Sequence, residues 1–152
     1  MVDTDAARIL QSYLDAVAQT VMNDDWETYR DAVSLPCHVI SHNESKVVAT
    51  EEDLLLGFTQ FRDTLRFQRV TDYIRLVETA SLLDRDLLSG GYVTHLLVRG
   101  HRILDPFRSQ ITLRLQGNRW RAVSVTNGLA NSRWPLIRLE LPPTSEPKGP
   151  LQ

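Results

Sequence analysis

The sequence predicts an α+β domain: three helices in the N-terminal half cover the concave face of a long, curved antiparallel sheet. Three observations lead there. Apolar residues recur at helical spacing in three stretches before residue 68, and four long strand-like runs follow residue 70. The breaks between those runs carry turn chemistry, and helices followed by strands is an α+β order.

The first helix covers 6–21. Ile9, Leu10, Tyr13, Leu14, Val17 and Val21 form one apolar stripe that neither Gly nor Pro interrupts, and Asp3, Thr4 and Asp5 supply N-cap candidates. A shorter helix fits 24–33, with Trp26, Tyr29 and Val33 on one face and Pro36 closing the segment. Two short strand-like runs, 37–41 and 46–49, flank the polar turn His42, Asn43, Glu44 and Ser45. Thr50 then caps a third helix to Phe67, with Asp53 three residues on and Leu54, Phe58, Phe61 and Leu65 as its core-facing stripe.

Four runs suit long strands: 71–83, 87–99, 102–116 and 119–127. Asp84, Arg85 and Asp86, then Gly100 and His101, then Gln116, Gly117 and Asn118, mark the turns between them. Asp105 and Pro106 interrupt the third run, where a bulge or an edge is expected because Pro donates to no ladder. Sheets this long coil. The helices therefore close the concave side into a cone, and a cone that side chains do not fill leaves a pocket.

The chain has 152 residues, 42% hydrophobic and 24% charged, the profile of an ordinary domain. We read 1–137 as a single domain and 138–152, with its four prolines, as a tail. The segment 126–135, with Arg133 and Trp134, either folds back over the sheet or a partner, or is an ordinary surface cover. Cys37 is the single cysteine, so a disulfide scaffold is excluded. No apolar run nears the ~20 residues of a membrane helix and no signal-peptide pattern opens the chain, so no membrane partner and a cytoplasmic location are expected. The net charge of −2 hides an asymmetry: residues 1–55 hold eleven acids and three bases, residues 56–152 eight acids and fourteen bases. Nucleic acid is not an expected partner, since neither a basic domain nor an aromatic RNA-binding signature is present.

The run from Gln11 through Tyr13 and Leu14 to Val17, the joint Asn23, Asp24, Asp25 and Trp26, and the helix after Thr50 resemble the nuclear transport factor 2-like superfamily. The final hairpin, with Ser109 to Leu115 and Asn118 to Val123, adds to the resemblance. More particularly the chain resembles the bacterial SnoaL-like and ketosteroid-isomerase-like branches, and the match in element order spans roughly residues 5–130. The resemblance implies the cone fold but not one activity, because this fold hosts isomerases, cyclases, dehydratases, accessory subunits and binding modules.

In ketosteroid isomerase an Asp is the general base, and a Tyr with a protonated Asp forms the oxyanion hole. By resemblance Tyr13 stands where that Tyr does; its other reading is a stripe residue whose hydroxyl is satisfied nearby. The base would fall near Ser41 or His42, neither a carboxylate, and the second donor near Ile111, which is apolar. Classical steroid isomerisation is thus disfavoured, leaving Tyr13 and His42 as catalytic candidates; His42 also fits an exposed turn. Trp26, Tyr29, Phe58, Phe61, Tyr92, Thr94, Ser109, Ile111 and Leu113 are expected to line the pocket.

No metal or cofactor is expected. His38 and His42 lie ~13 Å apart on an extended segment, and no zinc, P-loop or dinucleotide motif occurs. In the 87–99 run Tyr92 and Thr94 share one face and His95 the other. Arg99, Arg75, Arg108, Arg114 and Arg121 either line an anion site or occupy the outer face of the sheet. The outer-face reading assigns Arg75, His95, Arg108, Arg114 and Arg121 to an interface, through which proteins resembling this family dimerise. The expected function is binding of a small apolar metabolite, with cofactor-independent isomerase, cyclase or lyase chemistry. The alternative is a non-enzymatic dimeric ligand-binding or accessory module.

Overall fold

A computed structural model describes residues 3–128. The domain boundary at 137, the tail 138–152 and the part of 126–135 beyond Gly128 lie outside the described residues. The elements in chain order are helices α1 (Thr4–Met22) and α2 (Trp26–Asp31), strands β1 (Val33–Ile40) and β2 (Ser45–Val48), and helix α3 (Glu51–Phe67). Strands β3 (Asp72–Asp84), β4 (Leu87–Val98), β5 (His101–Arg102), β6 (Phe107–Gln116) and β7 (Arg119–Asn127) follow.

The helix starts are chemical. Asp3 Oδ1 accepts from the main-chain N–H groups of Asp5 and Ala6 at the head of α1, and Thr50 Oγ1 accepts from Asp53 N at 3.1 Å at the head of α3. The apolar stripe of α1 is buried at Leu10, Leu14, Val17 and Val21, and that of α3 at Leu54, Phe58 and Leu65.

The strands form one seven-stranded sheet in the order β2-β1-β7-β6-β4-β3, with β5 pairing β4. The four long strands pair antiparallel as expected, and one parallel pairing makes the whole sheet mixed: the last strand, β7, inserts between β6 and β1 and runs parallel to β1, with Val39 opposite Val125 and Ile40 opposite Thr126. That pairing joins residues 86 to 89 positions apart in sequence, from Val39 with Val125 to Val33 with Ala122, and local pattern carries no trace of it. Pro36 does not close a helical segment but lies inside β1, where the register with β7 is interrupted between Val33 and His38 and no ladder donor is needed. Asp105 and Pro106 divide the long third run into β5 and β6. The β4–β5 turn has positive φ at both Arg99 and Gly100, as a two-residue primed hairpin turn requires.

The core has two clusters. Ala6, Leu10 and Leu14 of α1 pack on Ala80, Leu88, Tyr92, Ile111, Leu113 and Ala122 of the sheet. Val21, Phe58, Leu65, Val70 and Leu96 form the second, with Trp26, Tyr29, Phe61 and Tyr73 against it. At Gly90 the sheet lies directly under Leu10 of α1. A Cβ there would sit 2.5 Å from Leu10 Cδ2 and 2.7 Å from the Thr79 carbonyl oxygen. Gly90→Ala is therefore expected to destabilise the fold by about 1–3 kcal/mol through overpacking. Urea melts check this, and an unchanged midpoint would contradict the packing.

Candidate functional site

Where the two clusters meet, the cone is not filled. A cavity of about 170 Å³ remains, with a lining drawn from all three helices and from every strand except β5. The alternation of the strands decides who faces it. On β4, Tyr92 and Thr94 point inward; on β6, Phe107, Ser109 and Ile111 do; on β7, Ala122, Val125 and Asn127 do. Val17 and Tyr13 come from α1, Tyr29 from α2, and Leu54 and Phe61 from α3.

Of the residues expected in the wall, Tyr29, Phe61, Tyr92, Thr94, Ser109 and Ile111 line this cavity. Trp26, Phe58 and Leu113 do not. Phe58 and Leu113 are consumed by the core, and Trp26 packs on Phe58 and Tyr29 at ring-centroid distances of 5.5 and 6.1 Å. Tyr13 is in the lining, and its hydroxyl donates to the Ala32 carbonyl at 2.6 Å. His42 lies on the exposed side of the β1–β2 turn, outside the lining. The same turn presents Ser41 and Glu44 to the cavity instead. A carboxylate does stand in this turn, two residues beyond His42. Its sequence signal was modest: Glu44 is the single acid between two short strands.

Arg75 requires the largest correction. It lies on the inner face of β3, 7% exposed, and lines the cavity rather than an outer interface. Parity explains the reversal. Tyr73, Arg75 and Val77 oppose the inward residues Leu96, Thr94 and Tyr92 of β4, whereas the greasier Ile74 and Leu76 oppose His95 and Val93. Hydrophobicity alone points the strand the wrong way round. Nη2 of Arg75 donates to the Leu14 carbonyl at 2.9 Å, and its Cζ stands 5.0 Å from the Tyr73 ring centroid and 5.5 Å from that of Tyr92. Nε is buried without a hydrogen-bond partner. Of the other four placed at an interface, Arg108 is exposed and pairs with Glu78 at 2.9 Å, Arg114 is exposed, and His95 and Arg121 are half-buried.

The electrostatics of the cavity follow from the burial of the groups that line it. Burial pushes the phenols of Tyr13, Tyr29 and Tyr73 above the ordinary tyrosine range, so all three are neutral donors near pH 7. Burial works against the charge of Arg75 while Tyr73, Tyr92 and Tyr13 work for it, with a net upward shift, so the guanidinium stays cationic. Among the described residues no three His, Cys, Asp or Glu side chains come together as a metal site. No helix among them is long and apolar enough to cross a membrane.

No protein-family model and no curated protein matches the sequence. Solved structures do match. A Nostoc punctiforme protein of unknown function with a cystatin-like fold superposes with TM-score 0.64 at 11% identity, covering 86% of this chain and 96% of that one. A nuclear transport factor 2-like protein of unknown function from Shewanella oneidensis gives 0.62 at 8% identity, over 80% and 97%. A candidate aromatic ring hydroxylase from Novosphingobium aromaticivorans gives 0.56 at 13% identity, over 84% and 91%. The fold is nuclear transport factor 2-like, an α+β cone, and identities this low define the fold alone.

Cys37 gives a test of how deeply this wall of the cavity is buried. Burial pushes its thiol from 9.0 up to about 11. Between those values the unfolded chain releases a proton that the folded chain keeps, so stability falls as pH rises from 9 to 11. The expected loss is roughly 2–3 kcal/mol. Urea melts of wild type and Cys37→Ala across that window should diverge, and parallel curves would refute a buried neutral thiol.

Proposed function

We propose that this chain is a small-molecule-binding domain whose cone takes a compact, mostly apolar metabolite. The observation that carries the reading is the cavity of about 170 Å³ in the cone, walled by Val, Leu, Ile and Phe side chains with tyrosine, serine and threonine hydroxyls set among them. Binding is favoured over catalysis by the state of the candidate acid. The Tyr13 proton already goes to the Ala32 carbonyl, so it is not free to stabilise an enolate. A proton-transfer step on the bound metabolite would draw on Glu44 rather than on His42, since Glu44 is the one of the two in the lining.

A neutral probe of the right size, p-cresol, should raise the melting temperature saturably. Val125→Phe, which fills the cavity from β7, should abolish the shift while circular dichroism stays unchanged. A wild-type protein indifferent to p-cresol and to other one-ring neutral compounds would sink the reading.

The outer face of the sheet supports a second proposal, a homodimer of this chain. Ile74 and Leu76 are 38% and 49% exposed on a strand whose inner positions hold an arginine, so the apolar side of β3 faces away from its own core. Half-buried Val93, His95 and Leu97 of β4 continue that surface, and Glu78 and Arg108 give it both charges for self-complementary pairing. Native mass spectrometry at micromolar concentration should show a dimer, and the Ile74→Glu, Leu76→Glu double variant a monomer. A wild-type monomer, or a dimer indifferent to both substitutions, would refute it.

A further inference from the structure

The structure assigns Arg75 as the anchor of an anionic ligand: the cavity takes a small monocarboxylate whose compact apolar body fills the cone and whose carboxylate meets the guanidinium. The inference rests on the binding reading above and names its ligand class.

Four observations carry it. Arg75 is buried and lines the cavity, yet no Asp or Glu among the described residues forms an ion pair with it. Buried guanidinium groups are ordinarily paired, because an isolated charge in an apolar interior is costly. Its fixed contacts do not use up its five donors: Nη2 bonds the Leu14 carbonyl, the guanidinium shares a side-chain hydrogen bond with Tyr92, and Nε has no partner. The Tyr73 and Tyr92 rings hold the guanidinium over their faces without neutralising it, and its remaining donors form a fork of the kind that matches a carboxylate. Glu44, the carboxylate of the lining, enters from the turn between β1 and β2 at the far edge of the sheet order from β3, so the cavity has a cationic and an acidic side.

Size restricts the body of the ligand. An apolar cavity of about 150 Å³ admits a benzene ring. About 170 Å³ therefore has room for one ring or an equally compact aliphatic group with a carboxylate attached.

Titration calorimetry with benzoate, its neutral isostere benzamide and p-cresol separates the possibilities. Wild type should bind benzoate roughly tenfold or more tighter than benzamide. Arg75→Gln should lose that preference while still binding p-cresol. Arg75→Lys, which keeps the charge without the fork, should retain part of it. Equal affinity of wild type for benzoate and benzamide would overturn the inference, and if p-cresol still binds, the broader reading survives. A benzoate preference that persists in Arg75→Gln would place the anion site elsewhere and overturn it too. No binding of any of the three would end both readings. Should the variants not fold, a crystal structure of wild type with benzoate decides, since a carboxylate not within hydrogen-bond distance of the Arg75 guanidinium contradicts the assignment.

Discussion

Everything in the cone depends on the seam between α1 and β3. A β-strand at the edge of a sheet leaves alternate main-chain groups without partners, and helices offer none. Here a side-chain amide supplies them: Gln11 Nε2 donates to the Arg75 carbonyl at 2.7 Å, and Gln11 Oε1 accepts from Val77 N at 3.0 Å. The guanidinium of Arg75 returns the contact to the Leu14 carbonyl, so helix and strand are stitched within one turn of α1. Gly90, without a Cβ, lets Leu10 settle onto the neighbouring strand just below the stitch. This seam fixes the tilt of α1, and with it where Tyr13 and Val17 enter the cavity.

The cavity stays open for a related reason. The branched aliphatics of its wall, Val17, Leu54, Ile111 and Val125 among them, are interleaved with flat or polar side chains that do not interdigitate with them. Tyr13, Tyr29, Tyr73 and Tyr92 stand around Arg75, and the first of them is held by a carbonyl that also accepts from Ala122 N, tying α1, the end of α2 and β7 together. A side chain fixed by such a bond cannot collapse into the void, because leaving the hydroxyl unsatisfied would cost about 1–3 kcal/mol. Polar satisfaction at the rim thus props the apolar space open. The same props hold the positive group of Arg75 in a place from which water is largely shut out.

The arginine-rich half of the chain reads differently once the strands are oriented. Arg108 and Arg114 are exposed on β6, as side chains alternating with the inward Ser109, Ile111 and Leu113 must be. Arg75 breaks that pattern because β3 is turned over relative to its hydrophobicity. The reversal changes both surfaces at once, putting a cation inside and Ile74 with Leu76 outside.

By itself the sequence determined the parts whose signals are local. The stripes of α1 and α3, the caps at Asp3 and Thr50, the hairpin turns and the facing of Tyr92 and Thr94 against His95 all follow from periodicity and turn chemistry within a dozen residues. Most of the aromatic wall was legible for the same reason. Only the tertiary structure decided the parallel insertion of β7 beside β1, the inward turn of Arg75, the entry of Glu44 and not His42, and the diversion of Trp26, Phe58 and Leu113 into the core. Each of those depends on which distant segment lies opposite. The free energy that settles it comes from pairing and packing between elements, to which the pattern of any one segment is blind.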